Sequence, residues 1–521
     1  MQAHTAAPPS SRPSSGSKPR AIVIGSGFGG LAAAVRLLAR GYAVDLLEAL
    51  PEVGGRARVF EEPSDAGTFR FDAGPTVITA PFLFDELWAL LGERMADHVD
   101  MRPVDPFYRI RFDDGSWFDY SGDAERMREE VRRVAPDDVD GYERFVAKSR
   151  DIFGVGFTRL AHKPFGRMTD MLRIVPAMAR LGSYRSVWGM AAKYVRNDKL
   201  RQVLSFHPLL VGGNPFDTTS IYTLILYLER AFGVHYPKGG TGALVRGLAA
   251  LIERHGGRVR CGQNVARIEV QAGRATGVRL ASGELLPADV VISNADAATT
   301  YHRLLAPEHR RRWTDRKLAR SDSSMGLFVW YFGTRRRYPD VAHHSILLGP
   351  RYRPLLDDIF RHRRLAEDCS LYLHRPSATD PDIAPPGADA FYVLSPVPHL
   401  GDAKDAGGAI DWHTQAEVYR ARIEARLADT VMPDLRDTLC ASRVLTPQHF
   451  ADELQSYRGA AFSLAPTLQQ SAYFRPHNQS EEVGGLYLVG AGTHPGAGLP
   501  GVLSSARVLD EVLPPAEATQ A

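Results

Sequence analysis

The stretch Ala21–Glu48, AIVIGSGFGGLAAAVRLLARGYAVDLLE, constrains the fold more than any other part of the chain. Four apolar residues, Ala21–Ile24, run directly into Gly25, Gly27 and Gly30, which complete a GxGxxG pattern. Such spacing predicts a strand, a tight glycine turn and a helix. Gly25 permits the turn, Gly27 lets backbone approach a pyrophosphate, and Gly30 lets helix pack on strand. A helix N-terminus adds unpaired N–H groups and the positive end of its dipole, which suit phosphate. Leu31–Ala39 are good helix formers and Gly41 is a stop. Val44–Leu47 read as a second strand, and Glu48 follows where an acid accepts hydrogen bonds from a ribose diol. Strand, turn, helix, strand and acid in this order predict a dinucleotide site. The acid disfavours the extra phosphate of NADP, but FAD and NAD are not separated by these residues.

The next segments extend the same site. PEVGGRARVF places Gly54, Gly55 and Arg56 just beyond Glu48, with Arg56 or Arg58 as a charge partner for the pyrophosphate. FDAGPTVIT, Phe71–Thr79, reads as a strand entering a turn at Gly74, Pro75 and Thr76. Near the other end, GLYLVGAGTHPGAGLPGVLSSARVLDEVL (Gly485–Leu513) repeats the plan of strand, glycine loop and helix. Its strand is Leu486–Val489 and its helix Val502–Leu513.

Other features bound the answer by exclusion. With 521 residues, 44% hydrophobic and 24% charged, the chain supports two interleaved domains. A net charge of +3 gives no argument for nucleic acid. Cys261, Cys369 and Cys440 form no CxxC pattern, so neither a disulfide framework nor a cysteine metal site is expected, and a reducing compartment fits. His343 and His344 have no recognisable carboxylate partner, and no metal is expected. The Pro- and Ser-rich residues 1–19 read as a disordered leader. No apolar run reaches the roughly 18 residues of a membrane span.

Taken together, these motifs strongly resemble the bacterial-type phytoene desaturases, in the carotenoid desaturase branch of the amine-oxidase-like FAD flavoproteins. The resemblance includes SFHPLLVGGNPFDTTSIYTLI (Ser205–Ile225), YPKGGTGALVRGL (Tyr236–Leu248), VVISNAD (Val290–Asp296), SLYLHRPSATDP (Ser370–Pro381) and AFSLAPTLQQSAYFRPHN (Ala461–Asn478). It covers essentially everything after residue 19. It implies FAD, bound non-covalently, by Gly25, Gly27, Phe28, Gly29, Gly30, Glu48, Gly54, Gly55, Arg56, Gly74, Pro75, Thr76, Gly490, Gly492, Thr493 and His494. The implied fold class is α/β. A Rossmann-like FAD-binding domain would be built from residues 20–100, 237–300 and 482–515. A mixed α+β substrate domain and a helical membrane-associating region would take 101–236 and 301–481, and 516–521 would be a tail.

The implied activity is dehydrogenation of 15-cis-phytoene, by way of zeta-carotene, to neurosporene, lycopene or both, with a quinone or oxygen as terminal electron acceptor. Desaturation of a later or C30 intermediate, or carotenoid isomerase or ketolase activity, stays open. So do an FAD amine oxidase and a flavin-stabilised lipid carrier. Oligomeric state is not legible.

A lipid-dissolved polyene needs an apolar tunnel and access from lipid. Ser205–Leu228 and Ser324–Gly333 supply apolar sequence that reads as tunnel wall or as ordinary core. Asp151–Leu200 carries nine Lys or Arg (Arg159, Lys163, Arg167, Arg173, Arg180, Arg185, Lys193, Arg196, Lys199) against Asp151, Asp170 and Asp198. Apolar residues interleave these charges, the pattern of a basic helix lying on anionic lipid, and equally of a solvated basic face. With no plastid transit pattern, the reading is a bacterial protein peripherally bound to the cytoplasmic face of the membrane. Three residues are candidates for acid–base work: Asp170 with Arg173, which share a helix face at i and i+3, and His207 in its apolar setting. The bland alternatives are a structural ion pair and a satisfied core histidine.

Overall fold

A computed structural model describes residues 18–401 and 410–519. Most of the leader and the end of the tail lie outside the described residues.

The opening motif folds as its pattern requires. Strand β1 (Arg20–Ile24) enters helix α1 (Phe28–Ala39), and strand β2 (Ala43–Leu47) returns parallel to β1. Further along lie helix α2 (Thr241–Arg254), strand β3 (Arg258–Arg260) and strand β4 (Val290–Ser293). Strand β5 (Leu486–Leu488) and helix α3 (Leu499–Arg507) come last. The five strands form one parallel sheet in the order β5-β4-β1-β2-β3. Three distant stretches of chain thus meet in one sheet. Continuous apolar strands suit a parallel sheet buried on both faces. Leu31, Val35, Leu244, Leu248, Leu251 and Leu503 cover one face from the three helices. Tyr301, Leu304, Trp313 and a three-stranded antiparallel sheet over Val265–Pro287 cover the other.

A mixed seven-stranded sheet forms the second layer system. One of its two longest strands, Gly326–Thr334, lies next to the edge strand, is buried along its whole length and alternates its side chains. Leu327 and Val329 face a large cavity, while Phe328, Trp330 and Phe332 pack in a separate core with the helix Trp412–Thr430. One face of this strand is thus ordinary core and the other lines the cavity. Helices Val139–Gly156, Met168–Leu181 and Leu224–Phe232 contribute to the cavity wall from the side. Among the described residues, no helix is long and apolar enough to cross a membrane.

Candidate functional site

One cavity of about 980 Å³ joins the glycine turns to the apolar part of the molecule. Its polar end is built around glycine turns, several of which leave no room for a Cβ. Gly25 holds φ +89°, which favours glycine. A Cβ on Gly30 would lie 2.0 Å from the Gly25 carbonyl oxygen, and one on Gly74 would lie 2.0 Å from the Arg56 carbonyl oxygen. A Cβ on Gly29 would meet Asn294 Oδ1 at 2.4 Å and Gly490 backbone at 3.1 Å. The N-terminus of α1 thus touches the turns that follow β4 and β5. It carries no capping side chain and no acidic residue in its first turn, so its N–H groups are left for an anion.

Glu48 is buried at the end of β2. Its Oε2 accepts from the Ser26 N–H at 2.8 Å and the Ser26 hydroxyl at 2.6 Å, and its Oε1 accepts from the Leu50 N–H at 3.0 Å. The Ser26 oxygen in turn accepts from the Gly54 N–H at 2.9 Å. Gly54 and Gly55 both adopt positive φ, and Gly55 faces Gly27. The two candidate arginines part company. Arg58 pairs with Glu453 at 2.6 Å and does not itself line the cavity. Arg56 lines the cavity, donates from Nη2 to Ser456 Oγ at 3.0 Å, and keeps Nε buried without a partner. Burial pulls its guanidinium below the ordinary arginine value, opposed by the charge of Asp296. Asp296 also lines the cavity. Its Oδ1 accepts from the Ala298 and Thr299 N–H groups, while Oδ2 is buried and unpartnered.

Of the C-terminal loop residues, Gly490, Gly492 and His494 line the cavity. Thr493 does not, because its hydroxyl turns away and donates to the Pro476 carbonyl at 2.6 Å. His494 Nε2 bonds the Leu160 carbonyl at 3.0 Å, and burial lowers its pKa to about 4. Phe28 is wedged edge-on against Phe84 beside the turn. Pro75 and Thr76 lie on the same wall as Tyr372 and Tyr392.

From there the wall turns apolar: Leu209, Leu210, Ile221, Leu224, Met325, Leu327 and Phe462 line it. It ends at the helix Met168–Leu181. Met168, Met171, Leu172, Ile174, Val175 and Met178 face the cavity, yet Leu172 is 62% exposed. Val175, Tyr184, Leu468 and Phe474 add exposed apolar surface at the same mouth.

The candidate acid–base residues do not meet this wall. Asp170 accepts from the Arg167 N–H at 3.1 Å and so caps its own helix, while Arg173 sits 3.8 Å from it with its side chain 79% exposed. Both lie off the lining face, because positions 168, 171, 172 and 175 take that side of the helix. His207 is buried in the core and bonded to Glu229 Oε2 at 3.1 Å. Glu229 itself lines the cavity, with Oε1 accepting from the Tyr108 hydroxyl at 2.7 Å. Sequence reasoning missed Asp296 and also Glu229, Ser26, Tyr372 and Tyr392, whose partners lie 22 or more positions away in the chain. The basic stretch is also less free than its count implies: Lys163, Lys199 and Arg173 are paired with Glu511, Asp114 and Asp170. Among the described residues, His343, His344 and His374 form a buried cluster with a ligand atom of each within 4.8 Å of the others, without a carboxylate.

Residues 28–508 match the family described as flavin containing amine oxidoreductase. The chain belongs to that family and is an FAD-dependent oxidoreductase. Within it, the chain is 47% identical over 500 residues to a neurosporene-forming phytoene desaturase of Cereibacter sphaeroides, covering 95% of each chain. It is 48% identical over 493 residues to a lycopene-forming phytoene desaturase of Paracoccus sp., covering 95% of this chain and 97% of the relative. Solved structures share the fold at low identity. Wild-type putrescine oxidase bound to putrescine aligns with TM-score 0.62 and 15% identity over 95% of this chain and 99% of its own. Cyclohexylamine oxidase from Brevibacterium oxydans aligns with TM-score 0.58 and 17% identity over 97% and 100%. The polar end of the cavity fits FAD: glycine turns, an uncapped helix N-terminus, a buried acid on β2, and unpartnered polar atoms on Arg56 and Asp296.

Proposed function

We propose that this chain desaturates phytoene, removing hydrogen in successive steps to give neurosporene, lycopene or both. The observation that carries the reading is the single cavity, with a dinucleotide cradle at one end and apolar walls leading to exposed Leu172 and Val175 at the other. A hydrocarbon offers nothing to hydrogen-bond, so shape and water exclusion must align it. Identities of 46–48% to neurosporene- and lycopene-forming phytoene desaturases, against 34% to a zeta-carotene-forming one and 33% to a 4,4'-diapophytoene desaturase, support multi-step desaturation of phytoene over a C30 substrate.

FAD, when bound, supplies the hydride acceptor. The backbone of Gly25–Gly30, with Gly54, Gly55 and Arg56, would hold the pyrophosphate, and Glu48 the ribose. Gly74, Pro75, Thr76, Gly490 and Gly492 would flank the ring system. The apolar walls keep water from the reacting carbons. One carbon of the substrate loses hydride, its neighbour loses a proton, and the remaining electron pair forms the new double bond.

The helix Met168–Leu181 is read as the membrane-facing rim. Its lining face continues onto the surface, so a polyene can pass from lipid to the cavity without crossing water, and Arg167 and Arg180 border it. The setting is the inner face of a bacterial membrane, with a quinone or oxygen accepting the electrons. Purified protein with FAD and phytoene in anionic liposomes, supplied with a quinone, tests the reading by chromatography of the products. Neurosporene or lycopene is the expected product; unchanged phytoene with flavin bound refutes it.

A further inference from the structure

Each new double bond releases one proton into a cavity whose wall is mostly apolar. Of the polar groups on the wall, two continue as hydrogen-bonded chains into the protein interior. One is Glu229, whose oxygens are closed off by Tyr108 and His207 inside the core. The other leads outward. Thr76 Oγ1 lies 2.7 Å from the Tyr392 hydroxyl and 3.1 Å from the Tyr372 hydroxyl, all on the cavity wall. The Tyr372 hydroxyl lies 2.7 Å from His344 Nδ1. Behind it, His374 Nε2 lies 3.1 Å from His343 Nε2, and His343 Nδ1 lies 2.6 Å from Thr379 Oγ1 on the half-exposed Thr379.

Between these two runs, the His344 and His374 rings stack with centroids 5.1 Å apart and planes at 18°. His344 Nε2 and His374 Nδ1 are the two ring nitrogens of the cluster that are buried with no partner in the protein. Buried orphans of this kind mark a missing link, which a ring rotation or one ordered water closes. Burial keeps the imidazoles neutral, with His343 pushed down to about 3 and His344 and His374 also held well below the ordinary imidazole value. A neutral imidazole donates from one nitrogen and accepts on the other. Two tautomer sets then give every bond one donor: all hydrogens pointing toward Thr379, or all pointing toward the cavity. Passage of a single proton along the line converts one set into the other.

We propose that Tyr372, His344, His374 and His343 form a proton relay from the cavity to Thr379, serving the desaturation proposed above and resting on that reading. In each step a substrate C–H bond breaks and its electron pair becomes the second bond of the alkene. The proton joins a hydroxyl of the Thr76–Tyr372–Tyr392 group as a hydroxyl proton passes to His344 Nδ1. A different proton leaves His343 Nδ1 through Thr379 to water, and the two electrons leave with the hydride to FAD. Hydroxyl and imidazole reorientation resets the line.

The test uses holoenzyme with phytoene in liposomes, mixed anaerobically in weak buffer containing a pH-indicator dye. Flavin bleaching and proton release are followed together. In the unmodified enzyme the two keep step, and proton release slows in deuterium oxide. Tyr372→Phe and Thr379→Val each remove one hydroxyl and no ring, and both are checked for unchanged melting and flavin content. The expected result is proton release slowed at least about tenfold in both variants; in Tyr372→Phe, on the cavity wall, bleaching slows with it, and in Thr379→Val, off that wall, proton release falls behind bleaching. Proton release unchanged in both variants overturns the relay alone. So does a stoichiometric metal in the purified protein by elemental analysis, because coordinated nitrogens cannot exchange protons. Absence of bleaching in the unmodified enzyme overturns the substrate reading and the relay with it.

Discussion

Ser26 closes a three-way junction with Glu48: its N–H and hydroxyl both donate to one carboxylate oxygen, at 2.8 and 2.6 Å, while its oxygen accepts from the Gly54 N–H. The variable position of the GxGxxG pattern thus fixes the acid and the second glycine turn together. Ser26→Ala strands the buried Gly54 N–H and removes one donor from Glu48. Loss of such a bond costs about 1–3 kcal/mol. The FAD dissociation constant of the variant is expected to rise about tenfold or more, with a lower melting temperature, by flavin fluorescence titration and calorimetry. Unchanged affinity would show that the junction does not organise the site.

Exposed apolar surface at the cavity mouth should matter for lipid and not for folding. Leu172 and Val175 are 62% and 46% exposed, so replacing them removes little core. Burying one such side chain in an apolar phase is worth about 1.5–3 kcal/mol. The double variant Leu172→Asp/Val175→Asp is therefore expected to keep its flavin and melting temperature. Its partition onto anionic liposomes in a flotation assay should fall more than about tenfold, and equal partition would refute the rim.

Asp72 gives a pH signature. It is buried at the N-terminus of α2, accepts from the Gly242 N–H at 3.3 Å, and burial raises its pKa to about 6. The folded state then binds more protons than the unfolded state between the ordinary carboxyl value and about 6. Its contribution to stability falls as pH rises through that window and is flat above it. Asp72→Asn removes this term. The variant should gain on the unmodified protein by about 3 kcal/mol between pH 4 and 7, read from urea midpoints. A constant difference across that range would refute the assignment.

The buried His207–Glu229 pair predicts a non-additive cycle. Both side chains are almost fully enclosed, at 2% and 1% exposure. His207→Ala leaves a carboxylate oxygen without its partner, at a cost of about 3–5 kcal/mol. In His207→Ala/Glu229→Gln the charge is gone, so part of that loss should return in a denaturation double-mutant cycle. Additive losses would mean that the two residues do not depend on each other.

The sequence by itself determined the dinucleotide half of this protein. Ala21–Glu48 specifies its strand, turn and helix through contacts between residues close in the chain, and the glycines are required by backbone geometry alone. The loop after β5 was legible for the same reason, although its helix begins at Leu499 rather than Val502 and ends at Arg507 before a separate short turn of helix. Family resemblance supplied FAD and the polyene substrate, which no local pattern encodes. Only the tertiary structure decided which polar side chains reach the cavity. Thr76 meets Tyr392 across 316 positions, and Tyr372 meets His344 across 28 and a strand pairing. It also turned Asp170 and Arg173 off the lining face, removed Arg58 to Glu453, and rotated Thr493 toward Pro476. Side-chain direction depends on which elements pack against one another. Local propensity carries no record of that packing, so a motif reveals its backbone before it reveals its chemistry.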